Sequence, residues 1–343
     1  MSTDSIGSGA RDFANLADWF AAIPATVLEN EIGEVYNDSE FTLTATQTFT
    51  GKTPGAFDID LRPAAGEGFA DNLTTLDYSA AQGAAFTSST GYITPLIDNA
   101  QAKMRITGLQ FRTTAANSWG VRVLNVATTH PLKNCIVDTN GSTTGRPGIA
   151  LTSAKAINCL SILRNASASY GMLLEYGAIA INCTAVRPSG LSAAGTGFVE
   201  AGGTTNVVKN CCAFNFATDF TTSGWDAASD YNASDSTNAP GSNAVDSLTY
   251  ADQFVSTTDD WRLKTGSGLI DAGNTDATDA PEDIVGTTRG ATTDGDIGAW
   301  EFVAAGGAAA LTGTATATID ETAPVAGGDT VIYTLTGETF IAA

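Results

Sequence analysis

The chain has 343 residues, with 37 Asp and Glu against 16 Lys and Arg, a formal net charge of −21. So acidic a surface repels nucleic-acid phosphates and anionic lipid headgroups, which argues against both as partners. A hydrophobic fraction of 43% is too high for a disordered acidic tail, and no apolar run reaches the ~20 residues that span a bilayer.

Met1 to Gly9 has neither a basic segment nor an apolar run, so no secretory signal is expected at this end. The five cysteines are Cys135, Cys159, Cys183, Cys211 and Cys212. An odd count without a signal argues against a disulfide framework and for folding in a reducing cytoplasm.

Phe13, Leu16, Phe20 and Ile23 fall at helical spacing with Trp19 beside them, which predicts one short amphipathic helix over 12–23. Asp12 is its expected N-cap and Pro24 its stop. After it come short apolar runs between Gly, Asn, Ser, Thr and Pro. Phe41 to Phe49 and Phe57 to Leu61 alternate apolar and polar residues, a strand pattern. Residues 62–103 read as two irregular coils.

An internal repeat organises the middle. Asn134-Cys135, Asn158-Cys159, Asn182-Cys183 and Asn210-Cys211 recur at separations of 24, 24 and 28 residues. Between them Gly120, Gly148, Gly171 and Gly197 each open an apolar run, at separations of 28, 23 and 26. Gly108-Leu109 stands as an earlier member of the first series. Helical solenoids and leucine-rich repeats need patterns that are missing here, and a propeller blade needs four longer strands. A parallel β-helix remains, with one repeat per coil and coils stacked at the ~4.8 Å strand spacing. The four cysteines then form one inward ladder, and each Asn sits at a bend in the left-handed conformation. Cys211 and Cys212 point to opposite faces. The helix caps the first open end, and 225–243 reads as an exposed loop.

Phe254-Val255, Asp260, Arg262-Leu263, Gly266-Ser267, Ile270-Asp271-Ala272-Gly273 and Asp296-Ile297-Gly298-Ala299-Trp300-Glu301 resemble the C-terminal coils of right-handed parallel β-helix proteins of the pectate-lyase-like superfamily. Arg11-Asp12-Phe13 through Asn37-Asp38 resembles the start of β-helix proteins from bacteriophages. The resemblance, with the general crossover preference, implies the right hand. The expected domains are an arm with capping helix over 1–34, the β-helix over 35–303, and a linker with a short β docking segment over 304–343. In that last segment Val331, Tyr333, Leu335 and Phe340 are the expected docking side chains.

Chemistry is sparse. The polygalacturonase-type motifs of the superfamily are missing, and the single His130 stands in a His-Pro turn. Arg187-Pro188 is an isolated fragment of a lyase-like basic cluster and reads as a turn. Glu175 and Glu200, 25 residues apart, are the candidate pair of facing carboxylates. Asp271, Asp276, Asp279, Glu282, Asp283, Asp294 and Asp296 form an acidic run whose type suits Ca²⁺, although it matches neither an EF-hand nor an RTX nonapeptide. No other cofactor is expected. The resemblance, taken with the missing signal, the reduced cysteines, the missing catalytic motifs and the C-terminal docking segment, points to a non-enzymatic virion protein made in a host cytoplasm: a capsid decoration, head fibre, or tail-fibre or spike component. Its expected partners are sister copies, as a homotrimer, and other virion proteins. The alternatives are a phage depolymerase of surface polysaccharide, or a glycan-binding adhesin using Trp119, Trp225 or Trp261.

Overall fold

The structure, a computed structural model, describes residues 1–8, 10–88, 95–114, 119–124, 129–140, 146–165, 169–203, 205–222, 224–274, 278–290 and 295–303. Met1–Phe302 is one compact unit and Val303–Ala343 a second. Val331, Tyr333, Leu335 and Phe340 lie outside the described residues.

The first unit is a parallel β-helix of about seven turns. Short strands stack into three parallel sheets of eight, eight and seven strands. The coil through the Cys159 repeat shows the plan. Lys155–Ile157 belongs to the first sheet, Leu160–Leu163 to the second and Tyr170–Glu175 to the third.

The bend from first to second sheet explains the Asn series. Asn134, Asn158, Asn182 and Asn210 all have φ between 50° and 54°, a region where Asn is tolerated and most residues are strained. Gly108 (φ 70°) and Tyr231 (φ 54°) extend this column at its two ends. One residue on, the chain turns inward. Cys135, Cys159, Cys183 and Cys211 are fully buried in the inner core, between Leu109 and Asn232 in the coils beyond. Each thiol donates to the carbonyl two residues earlier, at 3.2–3.3 Å. Burial raises the pKa of Cys159, Cys211 and Cys212, the last to about 12. We expect none of the five thiols to react with an aromatic disulfide reagent in the native protein and all five in denaturant. A fast-reacting thiol in native protein contradicts this packing.

The helix is shorter than its periodicity suggested. It spans Leu16–Ala22, and its N-cap is Asn15, whose side chain accepts from the Asp18 backbone N–H at 2.9 Å. Asp12 instead accepts from the backbone and hydroxyl of Ser5. Leu16, Trp19 and Phe20 close the first end of the core. Strands also extend into the segment read as an arm: Ser2–Ile6 pairs with Glu31–Val35 in the first sheet. Residues 62–103 form one expanded coil rather than two, because Ile59 pairs directly with Met104. Its long excursion sends Phe69, Leu76 and Tyr78 to the outside of the second sheet. The 225–243 stretch is likewise no free loop. Asn206 bridges Trp225, Lys209 bridges Asp230, and Ala233–Ser234 forms the last strand of the second sheet.

The largest departure is the C-terminal fifth of the unit. Among the described residues, 245–302 add no strand to the three parallel sheets. They fold back as a strap over the outer face of the second sheet. There Leu160, Ile162, Val186, Cys212 and Phe214 meet Phe254, Trp261, Leu269, Ile284 and Ile297 in a second core. The coils of this sheet are therefore buried on both faces. Cys211 lies in the inner core and its neighbour Cys212 in the outer one.

Candidate functional site

Strap and coils are joined by polar side chains at defined points. Asn158 donates to the carbonyl of Glu282 and to Asn134 Oδ1, and Asn210 Oδ1 accepts from the Asn274 N–H. Thr184 accepts from the Ala299 N–H, and Lys155 pairs with Asp279 at 2.8 Å. Two members of the Asn column, Asn158 and Asn210, thus fasten the strap as well as turning the chain. Asn182 is the exception: its buried amide makes no hydrogen bond among the described residues.

The acidic run is spent in the same way. Asp283 accepts from the N–H groups of Val285, Thr287 and Glu301. Asp296 accepts from the N–H groups of Asp271 and Phe302, and burial pushes its pKa up to about 6. Asp276 and Asp294 lie outside the described residues. Among the described residues no group of three or more Asp, Glu, His or Cys is arranged to hold a metal ion.

His130 is held between the Thr129 hydroxyl and Asp58, each at 2.8 Å, and Arg105 ties Asp58 to Asp60. It therefore pins a turn to the coil two turns away, across the strand Met104–Thr107. Arg187 is fully buried and donates to the carbonyls of Asn165 and Ser192. Asp138, also fully buried, accepts from Arg112 and Arg164, and Arg164 reaches on to Asp77. This cluster ties the 64–84 excursion to the second sheet.

Glu175 and Glu200 do not face each other. The register sets Glu200 beside inward-facing Leu174, and Glu175 beside Ala201. Glu200 accepts from buried Asn206 at 2.9 Å, whereas Glu175 accepts from the Thr152 hydroxyl on the outer side. One coil of separation brought the residues together, but strand alternation turned the carboxylates apart.

Where the Gly series ends, the next coil carries Asp219, fully buried. Burial is the main cause that raises its pKa to about 8, and the neighbouring Asp235 adds to it. The folded chain holds a proton that the unfolded chain, near 3.8, has lost. This contribution to stability is full below pH ~4 and falls as pH rises toward 8. Asp219→Asn is expected to raise the melting temperature relative to wild type at pH 8 and not at pH 4. Parallel pH dependences of the two proteins, from melts across that range, contradict it.

The third sheet differs from the other two. The outer buried cluster contains none of its residues. Its outer side is lined by half-buried Trp119, Arg122, Leu124, Tyr170, Leu173 and Val199. Arg122 is fixed by two hydrogen bonds to Asp98, at 3.0 and 2.7 Å. This open face is the candidate site. Of the three tryptophans singled out in the sequence, only Trp119 lies on it. Trp261 belongs to the strap and is buried in the outer core, and Trp225 closes the last coil.

No known protein family's profile matches the chain, and no curated protein sequence matches it. Among solved structures it is similar to the crystal structure of pectate lyase Pel9A, at 15% identity and a TM-score of 0.40. That alignment covers 88% of this chain and 97% of the other. The site is therefore read from its own residues.

Proposed function

We propose that this chain is a non-enzymatic structural protein on the outside of a bacteriophage-type particle. In this reading the stacked coils are a stiff display element, and the terminal segments attach it to sister copies and to other particle proteins. The observation that carries the reading is where the charged side chains go. Eight arginines sit on carboxylates, and these pairs run from coil to coil, from a coil to the 64–84 excursion or within the strap. Such cross-links suit a protein that must stay assembled outside a cell, and the acidic exterior keeps many copies soluble side by side.

The test is location. Antibody raised against the chain is expected to label intact, gradient-purified particles, and the chain is expected to co-sediment with them in fixed stoichiometry. Recovery only in the soluble fraction overturns the proposal. Release of new reducing or unsaturated ends from host capsule by the purified protein makes it a depolymerase instead.

A further inference from the structure

The geometry points to an oxyanion-recognition site on the open face, formed by Trp119, Arg122 and Arg146, for a sulfate or carboxylate group. The three residues come from two successive coils. Val121 pairs with Ile149, which sets Trp119 beside Pro147, and Arg146 immediately precedes that proline. The Arg146 and Arg122 guanidiniums stand 5.6 and 5.7 Å from the centre of the Trp119 ring. The indole thus has two cations within cation–π reach.

Two features distinguish this corner from the ion pairs elsewhere. Arg122 is neutralised by Asp98, but Arg146 has no carboxylate in ion-pair reach among the described residues. An uncompensated guanidinium is out of pattern in a chain of net charge −21. Second, Trp119 Nε1 and Arg146 Nε are both enclosed, and neither meets an acceptor among the described residues. Native proteins rarely leave even one such donor unmatched, and a neighbouring pair calls for a shared acceptor. A tetrahedral or planar oxyanion offers several oxygens at once. It takes one bond from the indole and another from the guanidinium, which binds such groups best. The half-buried indole and Tyr170, beside Pro147 on the next coil, offer aromatic surface to a ring carrying that anion.

This site does not depend on where the protein is displayed, so its failure leaves that proposal standing. The test titrates the full-length protein with sodium sulfate, glucose 6-sulfate and glucose, read by tryptophan fluorescence and calorimetry. Both sulfates are expected to bind saturably and glucose not at all. Equal affinity for the two sulfates identifies a free anion as the ligand; tighter binding of the sugar sulfate identifies a ring-borne one. Arg146→Gln and Trp119→Phe are each expected to weaken binding at least about tenfold, or ~1.4 kcal/mol. Protection of the five thiols in each variant shows that it has folded. Absence of saturable binding by either sulfate, glucose binding as well as its sulfate, or unchanged affinity in both folded variants overturns the proposal.

Discussion

Arg289→Met is expected to release the strap while leaving the coils wound. Arg289 is only 4% exposed and reaches five groups. It donates to Glu301 Oε2 and the Asp296 carbonyl at 3.1 Å each, to the Gly298 carbonyl at 2.8 Å, and at longer range to the Glu282 carbonyl and Asn158 Oδ1. Burial lowers its pKa, against which Glu301, Asp283 and Asp296 act. A methionine fills much of the space but strands the buried Glu301 carboxylate. Breaking a buried pair in this way costs ~3–5 kcal/mol. That loss falls on the strap, because Glu301 also gathers the Gly290 and Asp296 N–H groups into the same turn. The two cores give separate readouts. Cys212 is in the outer core, where a Cβ on Gly298 would come 2.9 Å from its sulfur, whereas the other four thiols line the inner core. Thiol labelling read by mass spectrometry is expected to find Cys212 reactive in the variant and the other four protected. Labelling of all five shows that the coils fail with the strap, and labelling of none shows that Arg289 does not hold it.

The same division separates what the sequence disclosed from what it hid. The inner ladder was legible because stacking forces one solution on every coil. A residue at positive φ must precede a small buried residue, and Asn-Cys supplies both four times. The strap was not legible, since its apolar runs have the length and spacing of coil strands. A sign of it was present in the second sheet. Cys211-Cys212, and strands such as Leu160–Leu163, are apolar where alternation predicts a solvated residue. Strands buried on both faces read that way. The extent of the helix was misjudged because periodicity begins at Phe13, while the cap is set by the Asn15 side chain reaching Asp18. At the candidate site, Trp119 was visible as a residue type. Arg146 was not, because only the coil stack brings it to that ring.

Gly171→Ala is expected to unwind the middle of the β-helix, although the substitution adds one methyl group. The four glycines of the second series mark the corner where the chain enters the third sheet, and none has positive φ. Their constraint is close approach, not conformational freedom. A Cβ on Gly171 would lie 2.5 Å from the carbonyl oxygen of Gly197 and 2.7 Å from Ala185 Cβ. Both obstacles belong to stacked backbone and to a side chain with nothing left to rotate, so relief requires coils to separate. Overpacking of this kind costs about 1–3 kcal/mol, and more where the neighbours cannot yield. Each coil is stabilised by its neighbours, so a gap at one interface weakens those on either side. Gly190→Ala is the control. Its φ of 90° makes alanine strained there, but nothing lies within 4 Å of the new methyl, so about 1 kcal/mol of backbone cost is all it incurs. Urea unfolding followed by circular dichroism is expected to show a clearly larger drop in midpoint for Gly171→Ala than for Gly190→Ala. Equal drops mean that the corner has slack and that the glycine column serves something other than contact between coils.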